Sequence, residues 1–182
     1  MKLLILDRDG VINEDSDDYI KSAEEWIPIS GSLEAIARFN RAGYTVVVAT
    51  NQSGIARGYF DVETLHAMHV KMEKLLDQLG GHVDGVFFCP HSPRDQCECR
   101  KPNTGLLKEI ARRYQYDLHE AIMVGDSLKD IQAAKATGAR AILVRSGKGE
   151  NTIESNDPTL DNVPIYDNLA ALADDLLTEK CL

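Results

Sequence analysis

The chain has 182 residues, 43% of them hydrophobic and 27% charged, the balance of a folded globular domain rather than a disordered segment. Its 20 Lys and Arg face 29 Asp and Glu, a formal net charge of −9, which argues against a nucleic-acid partner because phosphate contacts need a basic face. No apolar run approaches the roughly 20 residues of a membrane span, and the apolar start at residues 2–6 is too short for a secretory core, so we expect a cytoplasmic chain with no membrane partner.

Residues 2–6 form an apolar run that stops at Asp7, as a buried strand does. Residues 32–42 place Leu33, Ile36, Ala37 and Phe39 at helical spacing, with Gly43 as a stop. Residues 45–49 are β-branched or apolar throughout, the pattern of a strand covered on both faces. Asp61 suits the cap of a helix whose stripe runs through Leu65, Met68, Met72, Leu76 and Leu79 to Gly80-Gly81. A strand over 83–88 leads into an irregular stretch, 89–102, rich in Cys, Pro, Asp and Arg. A helix through Leu106, Leu107, Ile110, Ala111 and Tyr114 follows, then a strand over 121–124, a helix over 127–137 and a strand over 141–144. Residues 146–164 read as a polar loop and 168–177 as a last helix. Strands alternating with helices predict one α/β domain over residues 1–182, a doubly wound parallel sheet with no large cap, and we expect a monomer.

In such sheets ligands gather beyond the carboxyl ends of the strands. The first strand is followed by Asp7-Arg8-Asp9-Gly10-Val11, the second by Thr50-Asn51-Gln52-Ser53-Gly54, the third by a segment ending in Arg100-Lys101-Pro102, and the fourth by Gly125-Asp126-Ser127. Any one of these aspartates alone is more simply a turn or a helix cap. Together, Asp7, Asp9 and Asp126 make a hard oxygen cluster suited to Mg²⁺. A lysine and hydroxyl or amide donors beside it suit a phosphoryl group, and one carboxylate can serve as nucleophile.

Cys89, His91, Cys97 and Cys99 offer three thiolates and an imidazole, the donor set of a closed structural zinc site in a loop, 89–101, that lacks apolar residues of its own. The spacing is not that of the common Cys-x₂-Cys knuckle, and the alternative is surface thiols beside an unconnected histidine. Cys181 has no partner in sequence and reads as a free thiol. His66, His69 and His119 are assigned no chemistry.

The ordered set Asp7-Arg8-Asp9-Gly10-Val11, Thr50-Asn51, Lys101 and Gly125-Asp126 with Asp130 resembles the four motifs of the haloacid dehalogenase-like phosphatases, over essentially the whole chain. The resemblance implies that Asp7 is the nucleophile and that Asp9 is the general acid, and later the base, of an aspartyl-phosphate mechanism. It further implies that Thr50 and Lys101 hold phosphoryl oxygens, and that Asp7, Asp126 and the Asp9 carbonyl bind Mg²⁺. Asp130, one helical turn beyond Asp126, reads as a support rather than a ligand.

The segment from Cys89-Pro90-His91 to Cys97-Glu98-Cys99-Arg100-Lys101-Pro102 resembles the D-glycero-D-manno-heptose 1,7-bisphosphate 7-phosphatase group and also the histidinol-phosphate phosphatases. The run from Asn51 to Gly58 is similar to the former; the five-residue gap between His91 and Cys97 is similar to the latter. The first resemblance implies a phosphorylated sugar as substrate, in the supply of activated heptose for lipopolysaccharide; the second implies histidinol phosphate. Many heptose phosphatases have Gly-Asp-Lys where this chain has Ser127. On this reading Asp15, Ser16 and Asp18, with Asn51, Gln52 and Ser53, contact substrate. Arg100, beside the Cys99 staple, meets a second phosphate, and Arg57 is a weaker candidate. Two other classes compete: a phosphoacceptor signalling domain, which needs its accepting aspartate where this chain has Cys89, and a purely structural zinc module, which leaves the acids unexplained.

Overall fold

The computed structural model describes residues 1–178, so the expected free thiol at Cys181 lies outside the described residues. In chain order the elements are β1 (Lys2–Leu6), α1 (Ser32–Arg41), β2 (Tyr44–Asn51), α2 (Val62–Gln78), β3 (Gly85–Cys89) and α3 (Gly105–Tyr114). The second half continues with β4 (Ile122–Gly125), α4 (Leu128–Thr137), β5 (Arg140–Val144), α5 (Gly149–Glu154), β6 (Ile165–Tyr166) and α6 (Leu169–Thr178). The strands form one sheet in the order β3-β2-β1-β4-β5-β6, every pairing parallel.

The two-residue period of a strand sorts the core into two layers. Leu4, Leu6, Val46, Val48 and Val124 face one side and pack under α1, α2 and α6, through residues such as Phe39, Met68 and Leu172. Leu3, Ile5, Val47, Ala49 and Met123 face the other and pack under α3 and α4, through Leu107, Ile110 and Ile131. Burial on both faces is why the central strands read as continuous apolar runs rather than alternating ones. Asp61 caps α2 by accepting from the Thr64 N–H at 2.8 Å.

Two expectations shift. The third strand starts at Gly85 rather than at residue 83, because Asp84 turns its own groups onto Val46: its N–H donates to the Val46 carbonyl at 2.7 Å and its carboxylate accepts the Val46 N–H at 2.8 Å. The segment read as a polar loop contains α5, and it is followed by β6 on the outer edge of β5. Both are too short, at six and two residues, to carry a readable hydrophobic period. Among the described residues no helix is long and apolar enough to cross a membrane.

Candidate active site

From β1 the chain winds outward to β2 and β3, then returns to lay β4 on the opposite side of β1. A crevice opens at that switch point, beyond the carboxyl ends of β1 and β4. Asp7 and Asp126 stand there, one past the end of each strand.

Lys101 ties the floor together. It is 1% exposed, and its Nζ donates to Asp7 Oδ1 at 3.0 Å, Asp130 Oδ1 at 2.7 Å and the Ala49 carbonyl at 2.6 Å. Burial alone would favour a neutral amine, but the two carboxylates outweigh it and hold the lysine charged, above its ordinary range. The Asn51 side chain fixes the lysine's main chain in return, accepting from Lys101 N–H at 3.0 Å and donating to its carbonyl at 3.0 Å. Asn51, expected to contact substrate, thus spends its amide on placing Lys101.

One ammonium does not balance the carboxylates around it. Burial first, then Asp130, raises Asp7 to about 7. Burial first, then Asp7 and Asp130, raises Asp126 to about 9. One oxygen each of Asp7, Asp126 and Asp130 lies within 4.8 Å of the others, a spacing and donor type that fit a hard divalent cation. Asp130 is already committed: beyond Lys101, its Oδ2 accepts from the N–H groups of Asp126 and Ser127, both at 3.2 Å, and from Ser127 Oγ at 3.0 Å. Asp7 and Asp126 are therefore the carboxylates free to ligate. The same bonds account for Ser127, which caps the entry to α4 instead of reaching the cavity floor with a long side chain.

Asp126 is held by close backbone. Lys148 N–H donates to its Oδ2 at 2.8 Å, and Thr152 Oγ1 to its carbonyl at 2.8 Å. A Cβ on Gly10 would lie 2.0 Å from Asp126 Oδ2, and one on Gly147 would lie 2.3 Å from it, so neither position accepts a side chain.

Asp9 is oriented differently. Its Oδ1 accepts from Arg8 Nε at 3.0 Å, Arg8 NH2 at 2.8 Å and Asn13 Nδ2 at 2.9 Å, and its Oδ2 from Gln52 Nε2 at 3.2 Å. Burial works to raise its pKa, but Arg8, Asn13 and Gln52 together hold the carboxyl below its ordinary value. Gln52 also donates to the buried Thr50 hydroxyl at 2.8 Å.

Above this floor lies a cavity of about 420 Å³, lined by Asp15, Ser16, Asp17, Tyr19, Ser53, Arg100, Lys129 and Lys148 as well as by the acids below. Asp18 does not line it; the turn presents Asp17 and Tyr19 instead. Several residues of this site were not named as candidates by the sequence reading, Asp17, Tyr19, Lys129 and Lys148 among those lining the cavity. Asn13 and the buried Arg8, which orient Asp9, gave no sign of that role. Lys129 lies two residues past the cap Ser127, and Lys148 follows β5, so extending the survey of strand ends to the fifth strand would have found the latter.

The cysteine loop brings its four donors together. Cys99 Sγ lies 2.9 Å from Cys89 Sγ and 3.2 Å from His91 Nδ1, and Cys89 Sγ lies 3.5 Å from Cys97 Sγ. All four lie within 4.8 Å of one another, a cluster that fits tetrahedral zinc, whose Zn–S bonds of about 2.3 Å put sulfurs a little under 4 Å apart. Arg100 follows directly, its N–H donating to Cys97 Sγ at 3.4 Å.

Residues 98–172 match the HAD-hydrolase-like family. The chain is 54% identical to the D-glycero-beta-D-manno-heptose-1,7-bisphosphate 7-phosphatase of Pseudomonas putida, over 97% of this chain and 100% of that protein. It superposes on the crystal structure of D,D-heptose 1,7-bisphosphate phosphatase from B. bronchiseptica complexed with magnesium and phosphate with a TM-score of 0.95, at 52% identity over 98% of this chain and 99% of that one. The corresponding enzyme from Burkholderia thailandensis gives a TM-score of 0.77, at 46% identity over 98% and 99%.

Proposed function

The chain belongs to the D-glycero-beta-D-manno-heptose-1,7-bisphosphate 7-phosphatase family of HAD-like hydrolases, and from that premise we propose how its residues divide the work. It is a phosphoric monoester hydrolase that removes the 7-phosphate of D-glycero-D-manno-heptose 1,7-bisphosphate, and histidinol phosphate is not favoured. The observation that carries the assignment of roles is the convergence of Asp7, Asp126 and Lys101 at the sheet's switch point, with Asp9 beside them.

Asp7 and Asp126, with the Asp9 carbonyl, hold Mg²⁺, which supplies positive charge against the phosphoryl oxygens when bound. The Asp7 carboxylate attacks phosphorus and forms the new O–P bond. As the bond to the sugar oxygen breaks, its electron pair stays on that oxygen, which takes the proton of Asp9. Asp9, now a carboxylate, takes a proton from water as the water oxygen attacks the aspartyl-phosphate, releasing phosphate and restoring Asp7. Asp9 starts the cycle protonated only if its pKa rises on binding, and an arriving phosphoryl dianion raises it by like-charge repulsion. Thr50 and Lys101 hold phosphoryl oxygens.

Arg100 and Lys129 at the rim face no carboxylate within ion-pair distance among the described residues, and they suit the second phosphate. Lys148, 3.6 Å from Asp15, tethers the turn that carries the sugar contacts Asp15 and Ser16, with Gln52 and Ser53 opposite. Zinc on Cys89, His91, Cys97 and Cys99 staples the loop 89–101 and sets Arg100 and Lys101 in place, within one phosphatase domain. The product belongs to the supply of activated heptose for lipopolysaccharide.

Turnover of the heptose bisphosphate and of histidinol phosphate, each with Mg²⁺, tests this reading. We expect a preference of about 10- to 10²-fold in kcat/KM for the bisphosphate, the value of one charge-assisted phosphate contact. Equal turnover of the two overturns it.

A further inference from the structure

Arg8 is 0% exposed, and its guanidinium is wedged behind Asp9, under α2. One edge, Nε with NH2, grips a single carboxylate oxygen, Asp9 Oδ1, which Asn13 also holds. That leaves Oδ2, touched among the described residues only by Gln52 at 3.2 Å, as the oxygen able to carry the moving proton. The opposite end of the guanidinium, NH1, meets two side chains of α2: Met68 Sδ at 3.5 Å and His69 Nε2 at 3.2 Å. A thioether is a weak acceptor, so the histidine is the strong one.

A guanidinium only donates, which makes His69 Nε2 the acceptor and places the ring proton on Nδ1. His69 is 8% exposed, and burial, seconded by Arg8, lowers its pKa to about 4, consistent with a ring neutral at working pH. A planar fork anchored at one end has its other end fixed in direction.

We propose that His69 is a positioning residue for proton transfer: acting through Arg8, it fixes which oxygen of Asp9 faces the substrate. The inference rests on Asp9 being the acid. Asp9 Oδ2 gives its proton to the leaving oxygen as the P–O bond breaks, and losing the anchor at NH1 lets Arg8 and Oδ1 swing without removing any group that touches substrate.

Such a role depends on the leaving group. An alkoxide needs the proton, whereas p-nitrophenolate departs without it. His69→Phe keeps the ring's bulk and removes the acceptor; His69→Gln keeps an acceptor. Single-turnover release of the leaving group, with enzyme and Mg²⁺ in excess, isolates the first step. With heptose bisphosphate we expect His69→Phe to slow release about tenfold, part of the roughly 10²–10⁴ that a positioned acid supplies. With p-nitrophenyl phosphate the loss stays under about twofold, and His69→Gln recovers most of the alkyl rate. Equal losses on both substrates, or no loss on either, overturn the proposal. Should the phenylalanine variant not fold, His69→Met, also lacking a strong acceptor, carries the same comparison. Asp9→Asn run alongside separates the two layers: if it shows no leaving-group dependence, the reading of Asp9 fails, whereas if it does and His69→Phe does not, only the role of His69 fails.

Discussion

Replacing Lys101 by Met tests whether the floor of the site is a balanced charge cluster. The methionine keeps most of the stem's packing and removes the Nζ that serves Asp7, Asp130 and the Ala49 carbonyl. Breaking a buried ion pair from one side costs about 3–5 kcal/mol, because the carboxylates left behind are neither solvated nor paired. Against a typical total stability of about 5–15 kcal/mol, the variant folds with a narrow margin. Urea unfolding followed in EDTA measures the loss. In saturating Mg²⁺ the loss shrinks, since the cation takes over part of the charge on Asp7. Adding Asp130→Asn removes one of the two stranded carboxylates, so the double variant regains stability, with a coupling of about 1–3 kcal/mol. Activity does not return with it, because the Lys101 ammonium proposed to hold a phosphoryl oxygen is still missing. A Lys101→Met chain within about 1 kcal/mol of the parent in EDTA, or strictly additive losses in the double variant, refutes the charge-cluster argument.

Asp7→Asn abolishes turnover and Asp9→Asn lowers it by about 10²-fold or more, both with normal folding; near-normal hydrolysis by either, measured as phosphate release, contradicts the roles given them. Arg100→Ala loses roughly one to two decades of kcat/KM on heptose bisphosphate and little on a heptose 7-monophosphate, and equal losses would make Arg100 a support for Lys101 instead. Protein purified without chelator carries about one zinc per chain by elemental analysis, and Cys97→Ser or Cys99→Ser loses it; zinc-free native protein refutes the staple. The depressed pKa of His69 means that the unfolded chain binds a proton below pH 6.5 that the folded chain refuses until about 4. That contribution to stability is full above about pH 6.5 and is lost as pH falls toward 4; His69→Gln flattens this part of a urea-midpoint profile, and an unchanged profile counts against a buried neutral ring.

The fold was legible where burial writes a pattern. Residues 2–6 and 45–49 are mostly apolar or β-branched because both sides of a central strand are covered, and the polar residues that end those runs, Asp7 and Thr50, mark the sheet's functional edge. The clustering of Cys89, His91, Cys97 and Cys99 was legible because three cysteines and a histidine in a short segment with little apolar content suit a shared metal. Other parts carry no such pattern. Arg8 has the composition of a surface residue, and only the packing of α2 across Asp9 makes it a buried anchor. His69 shares a helix face with Leu65, Met68 and Met72, so its spacing reports burial and not its contact with a residue 61 positions away. Asn51 carries a role that its position does not announce: it ends β2 and lines the cavity, and its amide also fixes the main chain of Lys101.

The charge layout explains how a site without a large cap can prefer a doubly phosphorylated sugar. The floor crowds Asp7, Asp126 and Asp130 around one ammonium, so a divalent cation there favours their ionised forms and, with them, the acceptance of a phosphoryl group. The rim is cationic: burial, then Arg100 and Lys148, depress the pKa of Lys129, so its charge is held there against its own environment. An anion at the rim relieves that crowding directly, whereas the floor groups Asp130 and Lys101 act on Lys129 more weakly than Arg100 and Lys148 do. On the proposed reading a monophosphate therefore leaves most of the rim's repulsion in place, whereas a bisphosphate of matching length relieves it while presenting its other end to Asp7. On the proposed reading, selectivity of this kind comes from charges placed by the first turn of α4, the segment after β5 and the cysteine loop. Its salt dependence should accordingly be steeper for the bisphosphate than for a monophosphate, since rim charges that open to solvent are screened and the buried floor is not.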